Sequence, residues 1–232
     1  MHRVLEKFGH DRPILIAVAA PLELKALAKG FAGGDIQMPR TWEAVSIGRF
    51  DLLLTGVSKA SAAGGVATVL DPRRHAAVLS IGIGGAYPID PPLALGQTVV
   101  ATQSIMADEG VQTPETFISC AKLGFPLNDT SGDGVISDPA LFDLLEPLGD
   151  RSGPVATVST CSGTDALVEH YRTRTSTIAE SMEGAAVGLV AARRSVPFIE
   201  LRVLSNTTGD RAGQAWDIPG AVRALEALAR RL

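Results

Sequence analysis

Short, largely apolar runs recur along this chain, most of them separated from the next by a stretch patterned for a helix. ILIAVA (14–19), AAVLSIG (76–82), QTVVATQSIM (97–106), PVATVST (154–160) and VPFIELRVLSN (196–206) are strand-length. A strand with no polar alternation has no face to turn to water, so it belongs in a sheet covered on both sides. PLELKALAKG (21–30) opens with Pro21 and closes with Gly30, the order expected of a short helix. TWEAVSIGRF and DLLLTGV read as two strands joined by a tight Gly-Arg turn, and SKASAAGGVATVLD as a helix of small residues lying close on a sheet. DPALFDLLEPL predicts a helix capped by Asp138, and WDIPGAVRALEALARRL a final one capped by Asp217. CSGTDALVEHYRTR, running from a loop into a helix, and SMEGAAVGLVAARRS supply two more helices, the second with small residues on more than one face. Between Asp108 and Pro139 the pattern weakens, which predicts a long irregular excursion. The alternation as a whole predicts one α/β domain over residues 1–232. It would have three layers, a central, mixed, largely buried sheet flanked by helices, with residues 1–12 loosely ordered.

Composition narrows the function classes. A chain of 232 residues, 46% hydrophobic, holds one substantial core and is short for two. A net charge of −4 argues against a nucleic-acid partner. The arginines of the C-terminal ALARRL read as a solvated helix end, where cations favour the helix dipole. No apolar run approaches the ~20 residues that span a bilayer. The polar start MHRVLEKFGHDRP is no signal peptide, so a cytoplasmic protein with no membrane partner is expected. Cys120 and Cys161 fit no metal or redox spacing and read as free thiols. His2, His10, His75 and His170 are scattered, so neither a metal site nor a Ser-His-Asp triad is expected.

In such sheets ligands bind where strands end. GIGGAYP carries Gly82, Gly84 and Gly85, but Tyr87 stands where a dinucleotide fingerprint needs its last glycine, and the proline-rich IDPPLALG opens no helix. The stretch reads as a glycine turn, either bringing backbone close to a flat or phosphate-like ligand or simply turning the chain. Glu23, just beyond the first strand, is either a helix-dipole partner or a functional acid. Glu183 stands among Met182, Gly184, Ala185 and Ala186, where a buried carboxylate needs a partner. An ion pair with Arg202, itself inside the apolar FIELRVLS, would explain both residues; the residues alone leave a structural and a functional reading open.

SMEGAA (181–186) followed by R-x-x-S-N (202–206) is the most specific pattern in the chain. With it, the sequence from Ile14 to about Leu228 resembles the nucleoside phosphorylase and nucleosidase superfamily. The MEGAA wording and the trailing WDIP resemble its futalosine hydrolase branch, a cousin of the methylthioadenosine/S-adenosylhomocysteine nucleosidases. The resemblance implies a nucleoside phosphorylase-like fold, a purine nucleoside substrate, no cofactor and a homo-oligomer. It implies that Glu183 accepts hydrogen bonds from the ribose 2′- and 3′-hydroxyls and that Met182 packs on the sugar. Glu23 would hold and deprotonate the attacking water, with Arg202 at the end of that network. Gly84 and Gly85 would line the pocket with their backbone, and Ser205 would join the substrate-binding residues. Asn206 stands where the adenosine-cleaving nucleosidases carry an aspartate.

Two departures bear on the reaction. An amide at Asn206 delivers no full proton to a purine, but its donor and acceptor atoms suit N7 and a 6-oxo group, which favours a 6-oxopurine over adenine. Neither LSIGIGG nor VAAPLE carries the arginine a phosphate clamp would need, which favours water as nucleophile. The expectation is hydrolysis of a 6-oxopurine nucleoside, futalosine giving hypoxanthine, in menaquinone biosynthesis. The alternatives are an adenosine-type nucleosidase and a non-catalytic nucleoside-binding module, the latter having no need of Glu23. For a carboxylate at the far end of the substrate, Arg211, Lys59 and the loop 108–117 are candidates.

Overall fold

A computed structural model describes residues 4–9, 12–34, 36–128 and 132–232. Its first half runs β1 (Ile14–Val18), α1 (Pro21–Ala32), β2 (Ala44–Ile47), β3 (Phe50–Leu54), α2 (Lys59–Val69), β4 (Ala77–Ala86) and β5 (Thr98–Met106). The hairpin β6 (Gly110–Gln112) and β7 (Phe117–Ser119) follows, then β8 (Gly134–Ile136) and α3 (Pro139–Leu145). The chain closes with β9 (Arg151–Thr157), α4 (Asp165–Thr175), β10 (Ala179–Ser181), α5 (Gly184–Arg193), β11 (Phe198–Thr207) and α6 (Ile218–Arg231).

Successive residues of β1 enter different cores, which is why the run has no polar alternation. Ile14, Ile16 and Val18 pack with Leu24 and Leu27 of α1, Leu141 of α3 and Leu225 of α6. Leu15 and Ala17 pack on the opposite face with Ala62 and Val66 of α2 and Ala185 and Val187 of α5. Each fully buried Leu, Ile or Val is worth roughly 1.5–3 kcal/mol, so the two faces together fix the sheet as the middle layer. The expected caps form: Asp138 accepts from Leu141 N and Asp217 from Gly220 N, each just ahead of a proline in the first turn.

The sheet order is β10-β9-β5-β11-β4-β1-β3-β2, with β8 on β5. β1 is parallel to β3 and β4, and β4 to β11, while β11 meets β5 antiparallel. The short β10 pairs with β9 on one side and antiparallel with β4 on the other, through Ala179↔Ala86 and Glu180↔Gly85. Five strands (β4, β10, β9, β5 and β11) therefore close into a ring, with β1, β3 and β2 as an open wing. This is the three-layer α/β architecture with a mixed sheet. Among the described residues, no helix is long and apolar enough to cross a membrane.

Several local expectations are corrected. GIGGAYP is no turn: β4 runs through Gly82, Gly84 and Gly85 to Ala86, because β11 and β10 pair with it to the end. Glu183 is not inside a helix but is the residue before α5, and β10 stands where the sequence pattern gave nothing. The 108–139 excursion carries a hairpin and a strand; residues 129–131 lie outside the described set. Within residues 1–12, Val4–Lys7 form a 3-10 turn, Leu5 is buried and its N–H donates to Leu232 O at 2.9 Å. Residues 1–3, 10 and 11 lie outside the described set.

Helix α1 does not stop at Gly30 but continues to Ala32 and ends at Gly33, whose φ of 72° suits glycine. Gly30 is small for another reason. A Cβ there would lie 2.5 Å from Ala229 Cβ and 2.5 Å from Glu226 O, so it is the contact point of α1 and α6. Helix propensity alone favours alanine by about 1 kcal/mol, whereas overpacking costs about 1–3 kcal/mol. The expected outcome is that Gly30→Ala lowers the unfolding free energy by about 1 kcal/mol or more in urea titration; a gain would show that the two helices separate without penalty.

Candidate active site

The ring closure gathers the C-terminal ends of β4, β10 and β11. Cross-strand pairing sets Arg202 opposite Gly82, and both Asn206 and Glu180 opposite Gly85. The glycines leave the space that these side chains occupy. A Cβ at Gly82 would lie 2.4 Å from Arg202 Nη1 and 2.7 Å from Glu23 Oε1. At Gly85 it would lie 3.2 Å from both Asn206 Nδ2 and Glu180 Cγ.

Glu23 is the third residue of α1 and folds back over the start of the helix. Its Oε2 accepts from Ala20 N and its Oε1 from Ile83 N, both at 2.8 Å. The two backbone donors fix the carboxylate, which is 5% exposed. Burial raises its pKa above the ordinary carboxylate value, against the Ile83 bond and the Arg202 charge. Glu183 precedes α5 and is 6% exposed. Its Oε1 accepts from Ser58 N at 3.3 Å and its Oε2 lies 3.7 Å from Arg202 Nη2. Ser58 donates from a backbone with φ of 107°, a region unfavourable for a side chain and met mainly at functional positions. Burial raises the Glu183 pKa too, against Arg202 and with the help of the Glu23 and Glu200 charges.

Arg202 answers these acids from below. It is fully buried, its Nε donates to Glu200 Oε1 at 2.7 Å and its Nη2 to Ser80 Oγ at 2.7 Å. Glu200 also accepts from Ser181 Oγ at 2.7 Å and from Ser104 Oγ. Burial pulls the Arg202 pKa down, but Glu200 and Glu183 outweigh it and hold the group charged. Arg202 is thus tied first to Glu200 and only second to Glu183.

A cavity of about 370 Å³ opens above this cluster. Glu23, Gly84, Gly85, Met182, Glu183, Ser205 and Asn206 all line it, as does Arg211. Arg202 does not; it lies behind the wall and reaches the cavity through the acids. Ser205 Oγ sits 2.9 Å from Asn206 Oδ1 and 3.2 Å from Gly84 O, so its hydroxyl orients the amide. Asn206 lies within β11 rather than in a turn, and one of its amide hydrogens goes to Thr207 O at 3.0 Å. Lys59 is not on the wall, being paired with Asp108 and Glu109. The loop 108–117 also contributes nothing to the lining. A larger cavity, about 480 Å³, lies between Ala67, Met106, Leu127 and Val190 and contains none of the predicted site residues.

The sequence reading missed Glu180, Ser162, Gln214 and Trp216 on the wall, and Glu200 behind it. Glu200 carried a readable signal: it is two residues from Arg202, on the same face of one strand. Cys161 also lines the cavity as a free thiol. Burial, then the Glu180 and Glu183 charges, push its pKa up to about 11, so it stays a thiol at neutral pH. Among the described residues no His, Cys, Asp and Glu side chains converge on a metal-sized site.

Residues 13–232 match the Phosphorylase superfamily. A futalosine hydrolase of Acidothermus cellulolyticus is 36% identical over 93% of this chain and 87% of its own length. One of Streptomyces coelicolor is 34% identical over 91% of both chains. Among solved structures, the 5′-methylthioadenosine/S-adenosylhomocysteine nucleosidase of Helicobacter pylori superposes with a TM-score of 0.73 over 95% of this chain and 94% of that one, at 18% identity, a likeness of fold.

The raised carboxyls have a consequence for stability. A carboxyl whose pKa is higher folded than unfolded binds its proton more tightly in the folded state. Stability then falls as pH rises from the unfolded value of about 4.3 through the folded value, and the penalty is complete above it. Glu183→Gln removes one such group. The variant is expected to melt higher than wild type at neutral pH, with the gap closing as pH falls below the ordinary carboxylate range. A gap that widens in acid would reverse the sign of the argument.

Proposed function

The chain belongs to the phosphorylase superfamily, and on that premise we infer that it hydrolyses the N-ribosidic bond of a 6-oxopurine nucleoside, futalosine above all. The observation that carries this reading is that two buried acids, Glu23, fixed by two backbone N–H donors, and Glu183, line one cavity together with the neutral amide of Asn206. The two futalosine hydrolase relatives support the choice of substrate.

Bond cleavage passes through a cation-like ribose, as in glycoside hydrolysis. Glu183 accepts from the ribose hydroxyls and sets negative charge beside the developing cation. Glu23 takes a proton from water while the water oxygen bonds to the anomeric carbon and the purine leaves with the bonding electrons. The second amide hydrogen of Asn206, not used on Thr207, donates to N7 or the 6-oxo group as charge builds there. Preorganised groups of this kind each contribute ~3–4 kcal/mol. Met182 packs against the sugar, and Arg202 positions the acids without touching substrate.

Water rather than phosphate suits the charges. The cation that acts on Glu23 is Arg202, and its guanidinium is already bonded to Glu200 and Ser80. A phosphate dianion beside Glu23 and Glu183 would meet carboxylates without a clamp. A non-catalytic binding module would have no use for a second buried acid held by two backbone donors. An adenosine-type nucleosidase would want an acid at position 206. The resemblance extends the reading to a homo-oligomeric, cytoplasmic enzyme with one catalytic domain.

Free hypoxanthine is expected from futalosine, with a rate indifferent to added phosphate. Glu23→Gln and Glu183→Ala are expected to lower kcat at least hundredfold while the circular dichroism melt stays cooperative; near-wild-type turnover in either would refute its role. Because Glu23 must be ionised to act and its pKa is raised, kcat/KM is expected to fall in acid at a pH above the ordinary carboxylate range. Asn206→Asp is expected to shift the kcat/KM ratio towards adenine nucleosides, and an unchanged ratio would discard the argument from that amide.

A further inference from the structure

Glu183 is held by less than Glu23. Among the described residues its carboxylate takes one hydrogen bond, from Ser58 N at 3.3 Å, while Arg202 stands off at 3.7 Å. Whatever fixes the Ser58 N–H therefore fixes the acid. Ser58 caps α2, and its Oγ accepts from Ser61 N at 3.3 Å. The next link lies outside the helix. Trp42, just ahead of β2, donates from Nε1 to Ser61 O at 3.1 Å. Ser61 thus receives Trp42 at its carbonyl and gives its own N–H to Ser58, whose N–H reaches Glu183.

The indole is seated for this contact. Its backbone N–H donates to Leu54 O at 2.7 Å, which ties it to the end of β3. Its ring lies on two glycines of α2. A Cβ at Gly64 would be 2.6 Å from Trp42 Cζ2, and one at Gly65 would be 3.0 Å from Cδ1. Any larger residue at Gly64 would push the ring away from Ser61. Burial does not account for the arrangement, because Trp42 is 45% exposed. Its φ is 69°, on the side that a bulky residue rarely adopts, as is the φ of 107° at Ser58. Such strain persists only where the surroundings enforce it, and it gathers at functional positions. Here it marks both ends of one path to a cavity acid.

We propose that Trp42 is a positioning residue for Glu183: the indole clamps the first turn of α2 through Ser61 and so aims the Ser58 N–H that orients the carboxylate. The proposal rests on the nucleosidase reading of the cavity, in which Glu183 grips the ribose. Trp42 itself is not on the cavity wall, so it acts only through the chain it holds. Val57, the neighbour of Ser58, does line the cavity, so the clamp could also act by shaping the wall. The two routes differ in whether they need Glu183.

The test is a double-mutant cycle on kcat/KM for base release, combining Trp42→Phe with Glu183→Ala. Phenylalanine keeps an aromatic ring over the glycines and removes the Nε1 donor. Losing one neutral hydrogen bond is expected to lower kcat/KM by about three- to tenfold in the otherwise wild-type enzyme. In the Glu183→Ala background the same change is expected to matter by less than about twofold, because the group it positions is gone. A residue that only stabilises α2 or shapes the wall would slow both backgrounds alike. Equal losses, or no loss from Trp42→Phe alone, would overturn the proposal. Should Trp42→Phe not fold, Gly64→Ala enters the same cycle: it keeps the indole N–H but sets a methyl against the ring. The same loss with the same dependence on Glu183 is expected, and a loss independent of Glu183 would again overturn the proposal. Wild-type protein that releases no base from any nucleoside would instead refute the nucleosidase reading, and this proposal with it.

Discussion

One guanidinium organises this molecule. Arg202 is fully buried where β11 pairs with β4, in the volume left by the missing side chain of Gly82. A buried ion pair alone is weak support for a fold, because desolvation takes back much of what attraction gives. Here the cation is also a hub. Glu200 comes from its own strand, Glu183 from the start of α5, and Glu23 from the start of α1 through the space at Gly82. The acids outnumber the cation, so burial leaves Glu23 and Glu183 raised in pKa and held charged only at a cost to stability. That cost is the physical basis for reading them as working groups rather than as struts.

The closure of β10 onto β4 gives the cavity two chemically distinct ends. At one end lie Glu23 and Glu183 beside Arg202. At the other lie Glu180 and Asn206 flanking Gly85. The two ends share β4, whose glycines supply room at both, and this explains why three glycines stand in its last half with so little else. Strand register and helix starts fix the functional side chains to the same framework that forms the core.

Much of this was legible before any coordinates. The unalternating runs of β1, β4 and β11 announced a sheet covered on both faces, and Asp138 and Asp217 marked their helices because an N-cap is a local chemical need. Glu23, Glu183 and Asn206 were found through motif resemblance, and they converge on one cavity. What escaped was whatever depends on long-range pairing. Gly30 looks like a helix stop from sequence, since only α6 gives it another reason to be small. GIGGAYP looks like a turn unless β10 is known to pair with it. Glu180 lies on a strand too short to show a pattern, and Lys59 looked available because its acids are far away in sequence. Glu200 was the one avoidable omission, being the same-face neighbour that a buried arginine at 202 demands.

The arrangement around Gly85 bears on how such an enzyme can diverge. Glu180 and Asn206 sit on strands that also serve the core, yet neither is bonded to Arg202 or its acids. A lineage can therefore exchange the residue at 180 or 206 and leave the buried cluster around Arg202 unaltered, so the two ends of the cavity are free to change separately. Gly85 marks the limit of that freedom. Any side chain there would fill the space both neighbours need and press on Thr208, so the evolvable pair is hinged on a residue that cannot itself evolve.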